Sequence, residues 1–252
     1  MSNRMRITFK LIVFSVCLLL AAANARETLR YNIYGSGEWV PYVFANADQY
    51  SARPGIVAEI IPLILKTANI KGESIKLPPK RTNESLKFGK IVEMDVVSAA
   101  WFEQGIPPFG HLSKPFMTIT EYVAFAPKNK DRFQQLSDIY QEGLLIGGVR
   151  GYYYFDENKF MRVDFPSEKQ LVRALIKDRV DAVIIGGPTL RYFASHFQKE
   201  LLLGPVHATG ELSIRVTDKK AYLLPRLNAA IDQVKQSGVI EQIHHKYRYL
   251  TD

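Results

Sequence analysis

Short apolar runs alternate with amphipathic stretches along most of this chain. Residues 29–34 (LRYNIY) alternate and are rich in β-formers, the pattern of a half-buried strand, and Gly35-Ser36-Gly37 ends it. Ile56, Val57, Ile60, Ile61 and Ile64 fall on one face of a 3.6-residue period and predict a helix behind Pro54-Gly55. Pro62 lies inside it and should kink it or make it irregular, since proline removes the bond to residue 58 at a cost of ~3 kcal/mol. Further strands are predicted at 73–77, 95–100, 119–126, 144–149, 180–185, 201–203 and 212–216. Helices are predicted at 80–88, closed by Gly89, at 189–197, and at 225–236 and 239–249, which Gly238 separates. Another helix stands behind Ser167-Glu168-Lys169-Gln170, a capping-box pattern, with Leu171/Leu175 and Val172/Ile176 paired along one face. The near-continuous apolar run 180–185 suits a parallel strand covered on both sides. Strands alternating with helices predict an α/β fold with mainly parallel sheets, in two runs that meet near residue 118.

The first 25 residues stand apart. Arg4, Arg6 and Lys10 form a basic start, an apolar run of 13 residues follows, and Ala23-Asn24-Ala25 has the small-x-small form of a cleavage site. The run is shorter than the ~20 residues that span a bilayer, so a secretory signal peptide cleaved after Ala25 is expected rather than an anchor. Cys17, the only cysteine, sits mid-run behind the bulky Val16, so it does not look like a lipid-attachment site. Its removal with the leader leaves no thiol for a disulfide framework or a thiolate metal site. The remaining 227 residues carry 30 Lys and Arg against 25 acids, a net charge of +5. These charges are scattered rather than gathered in a stripe, which argues for a solvated surface and against nucleic acid as partner.

Several short motifs occur in an order that resembles a known family. They are an aromatic-Pro-aromatic loop (Trp39, Pro41, Tyr42), the helix start GIVAE at 55–59, and Lys114-Pro115-Phe116 before an extended run. IGGVRG at 146–151, RVDAV at 179–183, Gly238-Val239-Ile240, and Lys246 with Tyr247 follow. The order is similar to that of the extracellular solute-binding proteins of family 3, and the resemblance covers essentially all of the chain beyond the leader. It implies a two-lobed type II periplasmic binding fold, α/β with mainly parallel sheets flanked by helices. Residues 26–118 and 214–252 would form lobe one and 119–213 lobe two, with 119–126 and 212–216 as two crossing hinge strands. A ligand would lie between the lobes, beyond the carboxyl ends of the strands, and lobe closure would bury it.

Three contacts that the family makes with an α-amino acid are replaced. Where the resemblance implies a Thr/Ser-x-x-Arg motif after the third strand, this chain has Trp101-Phe102-Glu103-Gln104-Gly105, with no arginine between Arg81 and Arg132. Ile185-Gly186-Gly187 stands where an ammonium-binding Asp is usual, and Gly151-Tyr152 replaces a Gly-Thr/Ser turn. The chain is therefore read as a divergent member for a small polar or aromatic solute. Ligand-binding candidates are Trp39 and Tyr42 as aromatic walls, Trp101 as floor, and Arg81 as substitute for the missing arginine. Arg150, Gly151 and Tyr152 join them in the turn after a lobe-two strand, where successive backbone N–H groups favour anions. Glu168 is better explained by its capping position than by a ligand. His244-His245 are adjacent on a helix and point apart, so they do not form a metal pair.

No hydrolase, Walker or zinc-protease motif is present, and no acid/base constellation emerges from spacing. The expected role is non-catalytic and needs no cofactor: a monomeric periplasmic binder serving an ABC permease. A ligand sensor for a membrane receptor is the alternative, and a dehydratase or murein lyase on the same fold is a remoter one.

Overall fold

The computed structural model describes residues 27–35, 37, 39–44 and 53–248. The leader and its cleavage site lie outside the described residues. None of the described helices is long and apolar enough to cross a membrane.

Eight strands form one continuous sheet in the order β2-β1-β3-β8-β4-β7-β5-β6. In chain order they are β1 Glu27–Tyr31, β2 Ile70–Ser74, β3 Met94–Ser98, β4 His111–Phe125, β5 Leu145–Val149, β6 Met161–Phe165, β7 Ala182–Gly186 and β8 Leu202–Val216. The helices are α1 Ile56–Thr67, α2 Pro79–Phe88, α3 Glu168–Ile176, α4 Gly187–Phe197, α5 Leu224–Gln236 and α6 Val239–Lys246. β2-β1-β3 and β6-β5-β7 are both parallel triplets. β3 then pairs antiparallel with β8, and β7 antiparallel with β4. The two halves thus repeat one strand order, and β4 and β8 run antiparallel between them. At ~3.3 Å per residue, each 15-residue strand reaches ~50 Å, enough to traverse both halves.

Both crossing strands extend beyond the lengths their patterns predict. β4 begins at His111 rather than 119; Pro115, with register shifts on either side of it, masks the alternation of the earlier part. The two short runs expected at 201–203 and 212–216 are the ends of β8, whose middle (GPVHATGE) lacks an apolar period. β2 lies at 70–74 instead of 73–77, and the edge strand β6 carries no strand prediction. α1 runs unbroken through Pro62, which sits on its exposed side. Six buried side chains on the opposite face, Ile56, Val57, Ile60, Ile61, Ile64 and Leu65, hold it. At ~1.5–3 kcal/mol each, two or so of them offset the proline penalty.

The core of the first half joins distant parts of the chain: Leu29 and Tyr31, the α1 face, Met94 and Val96, then Leu227, Ile231 and Val234 of α5 and Ile240 and Ile243 of α6. Tyr247 reinforces this closure, its hydroxyl meeting both the Gly55 amide and the Glu59 carboxylate. The second half has a core on each side of its sheet. Val149, Leu171, Leu175, Val183 and Phe193 form one, and Phe125, Phe133, Ile146 and Ile184 the other.

Candidate functional site

A cavity of about 90 Å³ lies between the two halves, where the carboxyl ends of β1, β3 and β5 converge on the crossing strand β4. The first half supplies Asn32, Gly35 and Trp39 from the segment after β1, and Thr82 and Asn83 from the start of α2. It also supplies Asp95 from β3 and Trp101 from the turn after it. The second half supplies Gly151, Tyr152 and Tyr153, and β4 supplies Glu121.

Local geometry explains why these groups meet. Ser98 ends β3 and caps the 3₁₀ turn at Ala99–Trp101, accepting from the Ala100 amide at 3.3 Å. That turn packs on Gly210 of β8, where a Cβ would fall 2.4 Å from Ser98 Oγ and 2.5 Å from Ala100 Cβ. Only glycine admits the turn this close, and the turn sets Trp101 beside Glu121. Gly151, at φ 86°, brings its backbone against the N-terminus of α2: a Cβ would lie 2.4 Å from the Lys80 amide nitrogen. Asn83 Nδ2 spans the gap and donates to the Gly151 carbonyl at 2.9 Å. Thr189 of α4 likewise donates to the Val40 carbonyl at 2.6 Å. Polar contacts therefore bind the halves on both sides of the cavity.

The polar groups of the first-half wall are largely occupied with one another. Asn32 donates to Leu77 and Thr82 and accepts from the Tyr34 amide. Asp95 and Arg215 stand opposite each other on β3 and β8 and form a two-pronged pair, 2.9 and 2.6 Å. Arg215 is fully buried, donates also to Asn83 at 3.1 Å, and lies 4.6 Å from the Phe109 ring centre. A bidentate guanidinium–carboxylate pair suits such an enclosed position.

Glu121 contrasts with this. Its Oε2 is enclosed and makes no hydrogen bond. Burial pushes its carboxyl up to about 7, Glu168 reinforces the shift, and His207 and a Trp101 hydrogen bond oppose it. A bulge in the β4–β8 ladder falls beside Glu121, next to His207. His207 is held by Asp156 at 2.8 Å, and Asp156 accepts from Tyr140 at 2.6 Å. The partners of Asp156 hold its carboxyl below the usual range despite burial.

Four of the seven sequence candidates, Trp39, Trp101, Gly151 and Tyr152, line the cavity together. Tyr42 does not line it: the ring is buried in the first-half core, 4.5 Å from Trp39. Arg81 points away into solvent from the same helix turn that offers Thr82 and Asn83. Arg150 is exposed in an outer groove with Lys80 and Arg162, at the cavity mouth. Glu168, read as a capping residue, accepts from the Tyr152 hydroxyl and so steadies a cavity wall. Sequence reasoning missed Glu121, Asn83, Asp95 and Arg215. The available signal was a charge inside an apolar strand, MDVVS for Asp95 and LSIRV for Arg215.

No protein-family model and no curated sequence matches the chain. Solved structures do. An ancestral arginine-binding protein bound to arginine superposes with a TM-score of 0.70 at 20% identity, over 88% of this chain and 98% of that one. A mutant of ArgBP from T. maritima gives 0.70 at 17%, over 88% and 95%. A histidine kinase sensor domain with similarity to periplasmic binding proteins gives 0.68 at 18%, over 88% and 96%. With its repeated strand order, two crossing strands and interlobe cavity, this chain has the type II periplasmic binding fold.

Proposed function

We propose that this chain is an exported, non-catalytic solute-binding protein that closes two lobes on a small polar or aromatic solute and presents it to an ABC permease. The observation that carries this reading is the cavity between the halves, walled by Trp39, Trp101 and Tyr152 and bridged by the Asn83–Gly151 hydrogen bond. Residues 26–118 with 214–252 make one lobe and 119–213 the other. Leader removal after Ala25 delivers the protein to the periplasm, and intact-mass measurement of the exported chain checks that site. The cavity chemistry favours binding over catalysis. Of its two carboxylic acids, Asp95 is consumed by Arg215, which leaves Glu121 without a second free carboxylate among the described lining residues to share proton transfer.

A thermal-shift panel of amino acids, organic acids, amines and short peptides tests the reading. A true ligand at 100 times its Kd adds ~2.7 kcal/mol of stability. A wide panel that leaves the melt unmoved defeats it. The sensor domain among the similar structures favours a second reading, in which the liganded protein docks on a membrane receptor. Ligand-dependent stimulation of a reconstituted permease ATPase supports transport; ligand-dependent binding to a receptor ectodomain supports sensing.

A further inference from the structure

The charge inventory of the cavity is one-sided. Among the described residues that line it, the charged ones are Asp95 and Glu121, and neither lysine nor arginine joins them. Asp95 is neutralised in place by Arg215. Arg215 keeps Nη1 without a hydrogen bond, but this nitrogen is enclosed, the guanidinium lies against Phe109, Phe102 and Tyr153, and the residue does not line the cavity. The net effect is one carboxylate that no lysine or arginine pairs with, Glu121, ringed by the aromatic side chains of Trp39, Trp101, Tyr152 and Tyr153.

Around Glu121 only the Trp101 hydrogen bond and the His207 ring favour that charge, and its enclosed Oε2 keeps no hydrogen bond from either. From β8 comes His207, whose Nε2 is taken by Asp156 and whose Nδ1 has no partner. From the N-terminus of α3 comes Glu168, an acid, bonded to Tyr152. Tyr42 and Tyr154 face it as phenols, both pushed further toward the neutral form by burial and by Glu121 itself. Arg162, over the Tyr154 ring, is engaged by Glu157 and Asp164. An enclosed carboxylate oxygen without a donor is costly unless something arrives to satisfy it. Aromatic faces around it attract positive charge as well. An α-amino acid would bring a carboxylate into a cavity whose described lining holds no lysine or arginine, Lys80, Arg150 and Arg162 standing outside it at the mouth.

We infer that the cleft selects a small organic cation without a carboxylate, an amine or guanidine whose charged head meets Glu121 and whose body lies against Trp39, Trp101 and Tyr152. This rests on the solute-binding reading above and narrows it to a class of ligand. It also gives the missing family arginine a reason: a ligand without a carboxylate needs no guanidinium fork.

The test uses pairs that differ only by the carboxylate: agmatine and arginine, cadaverine and lysine, tyramine and tyrosine. Each is titrated calorimetrically into the exported protein at pH 6 and pH 8, in wild type and in Glu121→Gln. At least one amine should bind at least tenfold tighter than its amino acid, and Glu121→Gln should weaken that amine at least tenfold. Because the carboxyl titrates near 7 while the amines stay protonated, wild-type affinity for the amine should rise severalfold from pH 6 to pH 8. That wild-type profile decides the matter if the variant does not fold, and a flat profile overturns the inference. An amino acid that equals or beats its amine, a neutral or anionic solute that binds instead, or unchanged amine binding in Glu121→Gln also overturns it, while solute binding stands. If no solute of any charge binds, the solute-binding reading falls first.

Discussion

Two carboxylates face the same cavity from neighbouring parts of the sheet, and they are built in opposite ways. Asp95 has its partner across the ladder, in register, and the pair is fixed by hydrogen bonds to both oxygens. Glu121 has an enclosed oxygen with nothing to bond and a carboxyl driven upward by burial. The first arrangement spends its polarity on holding β3 to β8; the second holds polarity in reserve. Burial and acidity alone do not mark a binding group. The distinction lies in whether the fold itself satisfies it.

Four experiments press on that contrast. The largest effect belongs to Arg215→Met, which strands Asp95 as an unpaired buried charge and should cost about 3–5 kcal/mol in chemical denaturation. Adding Asp95→Leu should recover much of the loss, and a double-mutant cycle without coupling would show that the pair is incidental. Gly210→Ala should cost about 1–3 kcal/mol, since the new methyl group collides with Ser98 and Ala100. It should also move Trp101 away from Glu121, read as a change in tryptophan emission.

Glu121→Gln should act in the reverse direction, stabilising the ligand-free protein at pH 8 by about 1–3 kcal/mol. The native carboxyl titrates near 7 against an ordinary 4.5, so the folded state holds its proton over that interval. Its stabilising share is complete below 4.5 and is lost as the pH rises through 7. The gain from glutamine should therefore vanish at pH 4–5, and a pH-independent difference would contradict the assignment. The smallest effect is expected of Asn83→Ala, about 0.5–1.5 kcal/mol, through loss of its bonds to Gly151 and Arg215. Small-angle scattering should show a larger open fraction in this variant.

What the chain disclosed about itself follows the same division. Helices with one apolar stripe and strands between glycine or proline turns were legible, because burial against a single sheet imposes those periods. The crossing strands were legible only at their apolar ends, since Pro115, Gly204, Pro205 and Gly210 break the alternation in between. Aromatic residues in loops after strands marked Trp39, Trp101 and Tyr152. Glu121 was hidden because TITEYVAF reads as an ordinary strand, and only the fold reveals that this strand crosses a cavity and leaves one enclosed carboxylate oxygen without a donor.

Gly151 pressed backbone to backbone against Lys80 has a practical consequence. Any side chain there becomes a doorstop. A residue of increasing size at this one position would prop the clamshell at graded angles while Glu121 and the aromatic walls keep their identity, giving a dial for tuning the protein as a reagentless optical sensor.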